Sequence, residues 1–298
     1  MSTRITQSML NSQLMRNVNT NLKRMEAQQN QLSSGMRINK PSDDPVGITY
    51  AMRYRQELAA NEQYQLNVDH AGSWLNHADI MLNQAGELIQ RTRDLAVQGA
   101  NGTNSQSSME AIRSEVMSLY TQMVDIGNSE FNGKYIFNGQ KTDIPPYTPE
   151  NAQAENTDSA GVRFAVSPGT TLQVTIPGNQ VFGSPGDHDN LFKVFKELMA
   201  HLGASDHEKI SDVIGKLDSR FNQMLATRSE IGAKTNQTDL ASQRLEDINL
   251  DLQRLKSKNE DADLAEVITN LKMNENIYQA SLSAGARLIQ PSLLDFLR

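Results

Sequence analysis

Both ends of the chain carry apolar side chains at alternating three- and four-residue intervals. Near the start these are Met15, Val18, Leu22, Met25 and Leu32, with Gln29 in phase; near the end they are Leu264, Ile268, Leu271, Tyr278 and Leu282. This rhythm puts one narrow stripe on each helix, and a narrow stripe is buried only against another helix. The two end segments are therefore predicted to lie side by side. Composition agrees: among 298 residues 38% are hydrophobic and 5% aromatic, with one Trp. Such a chain suits thin helical layers better than one thick core.

Charge and motif content narrow the function. A net charge of −7 and a pI near 5.3 argue against non-specific nucleic-acid binding. The first 40 residues run the other way, with six Lys or Arg against one acid, but without interleaved aromatics. The absence of cysteine excludes disulfides, thiolate metal sites and a cysteine nucleophile. No apolar run approaches the roughly 18 residues of a membrane span, and no secretory signal is expected at the N-terminus.

Turn chemistry divides the rest. "LSSGMRINKPSDDPVG" ends the first helix at Gly35, a left-handed cap position, and crosses through Pro41 and Asp43. Asp44 is an N-cap candidate before Pro45 at the first helical position. A long seam from Tyr50 to Ala96, about 70 Å of helix, ends in "GANGTNS". Ser107 and Glu110 have capping-box spacing ahead of Ile112, Val116, Leu119, Met123 and Ile126, with Gly127 closing the third helix. "FNGKYIFNGQK" holds two Asn-Gly hairpin signals, "VRFAV" and "TTLQVTI" alternate with period two, and "PGNQVFGSPGD" supplies turns. Helix returns with Asp187 or Asp189 as cap, then Ser205 and Glu208 as a second capping box. Its seam runs through Ile210, Val213, Leu217, Phe221 and Met224 to Leu255, with a weak interruption at Gly232 and a phase shift near residues 256–263. The predicted fold is mainly α with a small β insert: a long coiled-coil-like helical bundle of N- and C-terminal segments and a central antiparallel β domain. Its expected parts are residues 1–43 with 260–298, residues 44–130 with 188–259, and a β domain over 131–187.

Candidate chemistry is sparse. His70 and His77 are seven residues apart, too far for the usual helical metal pair, and are expected to be exposed. "GDHDN" lacks the spacing of a calcium loop. No phosphate loop, dinucleotide fingerprint, nucleophile elbow or zinc-protease motif is present. The expectation is a protein with no catalytic residues, metal or cofactor.

Three elements carry a resemblance. "QLSSGMRINKPSDDPVG", "RSEIGAKTNQ" and "EDADLAEVITNLKMNENIYQASLSAGARLIQPSLLDFL" together resemble the N- and C-terminal motifs of the bacterial flagellin superfamily, in order and at opposite ends. Within the family, "NKPSDDPVG", "NGKYIFNGQKTDIPPY" and the short insert look more like the hook–filament junction members, with filament flagellins as the alternative. The resemblance implies a non-enzymatic polymer subunit, exported unfolded without a cleaved signal and guarded in the cytoplasm by an export chaperone. It implies self-association into a ring or short helical zone between hook-associated protein 1 and flagellin, without nucleic acid or membrane insertion. Terminal helices would line an inner tube and the β insert would face outward. The expected interface residues are Val18, Leu22, Met25, Leu32, Leu264, Val267, Ile268, Leu271, Tyr278, Leu282 and Leu288. Gly35, Pro41, Asp43, Asp44 and Pro45 would form the joint between helical shells.

Overall fold

The computed structural model describes residues 7–289. Its elements run α1 (Gln7–Ser34), α2 (Pro45–Ala100), α3 (Gln106–Gly127), β1 (Glu130–Phe131), β2 (Lys134–Tyr135), β3 (Arg163–Ser167), β4 (Thr170–Gln173), α4 (Gly178–Phe182), α5 (Leu191–Ala204), α6 (His207–Glu260) and α7 (Leu264–Ile289). The fold is mainly α, with β1–β2 and β3–β4 as two antiparallel pairs. The chain divides into two compact units. One takes the residues up to Ala60 and from Ile248; the other spans Asn61–Asp247. The long helices α2 and α6 contribute to both.

In the Asn61–Asp247 unit the predicted seams are buried. Val68, Leu75, Leu82 and Ile89 of α2 join Ile112, Val116 and Met123 of α3 and Ile210, Val213 and Leu217 of α6 in one core. The scarce aromatics gather at its centre. Tyr147 lies 4.6 Å from Phe192 and 5.6 Å from Phe182, and Phe137 lies 5.4 Å from Phe182, centroid to centroid. Each such pair adds about 0.5–1.5 kcal/mol to what its burial contributes. Gathering the rings in one place lets an aromatic-poor chain hold its irregular 136–162 segment against helices.

Several local expectations are corrected. Asn132-Gly133 makes the tight β1–β2 turn, at φ 52° and 73°. The second step also turns, with Gly139 at φ 56° and the Lys141 amide donating to the Asn138 carbonyl at 2.9 Å, but no strand pair flanks it. The Asn138 side chain donates to the Ile144 carbonyl at 3.0 Å and accepts from the Asp158 amide at 3.2 Å. The β segment is shorter than predicted because Val174–Ile176 leave the ladder, and "GNQVF" is α4 rather than a turn. The cap of α3 is Ser105, which accepts from the Ser108 amide, not Ser107. Asn190, not Asp187 or Asp189, caps α5. Ser205 is the left-handed end of α5, so Asp206 takes the start of α6. Gly232 does not interrupt α6.

Asp189 is released from capping for another task. With Arg220 it forms a buried ion pair, each partner about 2% exposed. The Arg220 Nε also donates to the Asp189 carbonyl at 3.1 Å, and Ser219 Oγ donates to its carboxylate at 2.9 Å. Burial pulls the Asp189 carboxyl upward, but the Ser219 hydroxyl and the Arg220 guanidinium hold it below its ordinary 3.8. The pair ties the loop before α5 to α6.

Removing one partner of such a pair strands the other charge. Arg220→Ala is therefore expected to destabilise this unit by about 3–5 kcal/mol, read as a lower urea midpoint. A depressed carboxylate stabilises fully above its unfolded value and loses that contribution as pH falls. Urea midpoints of the wild type should accordingly drop below pH 3.8, and that drop should shrink in Arg220→Ala.

Candidate assembly surface

In the other unit, α1 and α7 pair along their length. Asn21 lies beside Asn274 and Leu14 beside Gly285, so the helices run antiparallel. The contact mixes apolar side chains with buried amides. Asn21 Nδ2 donates to the Asn274 carbonyl at 2.8 Å, and Asn274 Nδ2 donates to Gln28 Oε1 at 2.9 Å. Both asparagines are buried. Helices approach closely at Gly285, where a Cβ would sit 2.6 Å from Leu14 Cδ2.

The predicted interface residues divide on this frame. Val18 and Val267 are buried, and Met25, Leu271 and Tyr278 are half-buried. The rest turn away from the pair: Leu22 is 41% exposed, Leu32 37%, Leu264 46%, Ile268 46% and Leu282 49%. Met15, Met273 and Ile277 are exposed with them. Leu288 lies outside the described side chains. The stripe predicted for the intramolecular seam of α1 is thus corrected: the seam is Leu14, Val18, Asn21, Met25 and Gln28. Sequence reasoning missed Leu14, Asn21, Gln28, Asn274 and Gly285. The available signal was a second heptad phase, one residue off the apolar one and occupied by amides.

The crossing between α1 and α2 is tied to the crossing between α6 and α7. Gly35, at φ 71°, accepts from the Ala262 amide at 2.9 Å, and Met36 bridges Asp261 antiparallel. The Arg37 amide donates to the Glu260 carbonyl at 2.6 Å. The Arg37 side chain reaches the Asn259 carbonyl at 2.8 Å and Asp44 at 3.2 Å. Asp43 accepts from the Asn39 and Lys40 amides, and Asp44 accepts from the Gly47 amide at 2.8 Å, ahead of Pro45 at the start of α2. That Gly47 bond, with Arg37 beside it, holds the Asp44 carboxyl below its ordinary value. Pro41 sits exposed within the crossing. Buried Glu260 closes the knot through Arg55, at 2.9 Å. The paired aspartates serve the turn and the cap.

Other singled-out residues are structural. Arg228, from "RSEIGAKTNQ", grips Asp79 at 2.9 and 3.2 Å. His77 is half-buried rather than exposed, 5.2 Å from the Phe131 ring. Among the described residues no group of three or more His, Asp or Glu is placed to hold a metal, and no helix is long and apolar enough to cross a membrane.

An antiparallel pair of end helices with outward apolar stripes defines a helical protein that, among the described residues, leaves apolar faces exposed. The chain belongs to the bacterial flagellin superfamily: the flagellin N-terminal helical region matches residues 5–142 and the C-terminal helical region residues 214–297. It is similar to flagellar hook-associated protein 3 of Escherichia coli, at 25% identity over 85% of this chain and 87% of that protein. It is also similar to the flagellar filament 33 kDa core protein of Treponema phagedenis, at 27% identity over 94% of each. In fold it resembles the crystal structure of Bacillus cereus FlgL, with TM-score 0.60 and 18% identity over 69% of this chain and 99% of that one. Flagellar hook-associated protein-3 from Legionella pneumophila gives TM-score 0.60 at 16% identity, over 70% and 97%.

A Cβ at Gly47 would meet the Asp44 carboxylate and lie 2.6 Å from Ile38 Cδ1, inside the knot. Gly47→Ala is therefore expected to cost about 1–3 kcal/mol by overpacking. Gly232→Ala, in open space on α6, should instead stabilise by about 0.5–1 kcal/mol. Urea unfolding of the two variants reads the opposite signs.

Proposed function

We propose that the chain is a non-enzymatic structural subunit of the bacterial flagellum that joins the hook-associated zone to the filament. The observation that carries this is the narrow α1–α7 seam, which leaves Leu22, Leu32, Leu264, Ile268 and Leu282 outside. A helix pair whose seam uses only part of its apolar side chains leaves the others for neighbours. Covering what remains exposed of each contributes about 0.6–1.5 kcal/mol, roughly half of a full burial, repeated around every subunit of a closed assembly.

In this reading residues 1–43 and 260–298 form the inner layer. Residues 44–130 and 188–259 form the next shell, and residues 131–187 face outward. Gly35, Pro41, Asp43, Asp44 and Pro45 form the joint between layers. The interface consists of Val18, Leu22, Met25, Leu32, Leu264, Val267, Ile268, Leu271, Tyr278, Leu282 and Leu288. Like copies lie beside the subunit, hook-associated protein 1 on one side and flagellin on the other. The chain is secreted to the extracellular flagellum without a cleaved signal, after holding by a cytoplasmic export chaperone. The hook-associated relatives support the junction role. A filament subunit is the second reading, favoured by the likeness to the Treponema filament core protein over 94% of each chain.

Ile268→Asp with Leu282→Asp changes only exposed positions. The double variant should keep wild-type circular dichroism yet fail to restore motility to a deletion strain; full motility would refute the interface. The deletion strain separates the two readings. Hooks that shed flagellin into the medium fit the junction role, and hooks that lack only their filament subunit fit the second.

A further inference from the structure

A cleft of about 810 Å³ opens between α2 and the two hairpins, lined in part by Trp74, Lys134, Gln140, Thr142, Arg163 and Phe164. That volume lies within the roughly 300–1,000 Å³ of small-molecule sites. Two of its lining residues are cations. Lys134 and Arg163 are exposed and make no ion pair or side-chain hydrogen bond among the described residues, in a protein of net charge −7. What sets them apart from other cations without a carboxylate partner is their place: both line the same cleft.

The acid that borders the cleft is already engaged. Asp158 accepts from the Ala160 amide at 3.0 Å and the Gln140 amide at 3.2 Å, which hold its carboxyl below its ordinary value. The cleft's polar groups are also set by the backbone. The Gln140 amide side chain donates to the Gly161 carbonyl at 3.3 Å, leaving its own oxygen free, and the Thr142 carbonyl accepts from the Tyr135 amide at 2.8 Å, leaving its hydroxyl free. Two unpaired cations beside a fixed amide oxygen and a hydroxyl match a ligand that carries both an oxyanion and hydroxyl groups.

We propose that this cleft binds an acidic sugar unit, a carboxylated or sulfated saccharide. Lys134 and Arg163 take the oxyanion, and Gln140 and Thr142 meet the hydroxyls. None of these residues belongs to the assembly surface, so the site would remain functional whichever assembly role the chain has.

Trp74 is the chain's single tryptophan and lines the cleft, 5.9 Å from the Phe131 ring. Its fluorescence reports occupancy without a label. The full chain is titrated with a digalacturonate and with a sulfated heparin disaccharide, alongside neutral cellobiose, sodium sulfate and a short poly-glutamate peptide. A saturable change with one or both charged saccharides, and none with cellobiose, is the expected result; which saccharide binds identifies carboxylate or sulfate as the source. Lys134→Ala and Arg163→Ala should each weaken binding about tenfold or more, the usual loss of one charged hydrogen bond. Both positions are exposed, so circular dichroism should stay unchanged. The proposal is overturned if no charged saccharide saturates, or if the double variant binds like wild type. It also fails if sulfate or the peptide matches the saccharides, because a bare anion or acidic chain then suffices.

Discussion

The amide seam between α1 and α7 sets the terms for the rest of the molecule. Buried Asn21 and Asn274, with Gln28, fix which faces of the two helices meet. A buried asparagine lowers stability but specifies register, because any other alignment strands its polar groups. Once those faces are fixed, the orientation of every other side chain on the two helices follows. Leu22, Leu32, Ile268 and Leu282 must point outward, although their spacing is that of a seam. A helix pair that also buried these leucines would hold together better alone and offer less to a neighbour.

The crossing knot extends that constraint. Both chain crossings meet through Gly35–Ala262, Met36–Asp261 and Arg37–Glu260, so the ends of α1 and α7 cannot be set independently of each other. Buried Glu260, held by Arg55, adds a polar lock where packing alone would leave freedom. The Asn61–Asp247 unit uses a different solution. It buries apolar seams, concentrates its aromatics around Phe182 and Phe192, and places one ion pair, Arg220–Asp189, where the loop before α5 needs an anchor. Apolar burial stabilises that unit, while the unit of paired ends leaves much of its apolar surface exposed.

Much of the fold was legible in the sequence because its helices follow simple rules. Gly35, Asp44 and Pro45 end and start helices where their conformational preferences demand, and the Ile112 and Ile210 seams are buried as their spacing predicts. Caps slipped by one or two residues, to Ser105 and Asp206, because adjacent Ser and Asp side chains compete for the same amides. The β segment is shorter than its alternation predicts: Val174–Ile176 obey contacts distant in sequence that no local pattern encodes. The α1 seam was misphased for a deeper reason. Periodicity locates an apolar stripe but cannot say whether the stripe faces the same chain or another one. The amide phase at Asn21 and Gln28 was the discriminating signal.

The central claim is that the apolar stripes of α1 and α7 are covered by other subunits in the flagellum. Because the chain has no cysteine, single Leu22→Cys and Leu282→Cys variants allow maleimide labelling at one site each, with Ile144→Cys, an exposed position of the β segment, as reference. The account predicts that all three label in the free protein, but that only Ile144→Cys labels in isolated flagella. Equal labelling of Leu22→Cys and Leu282→Cys in free protein and in flagella would contradict it.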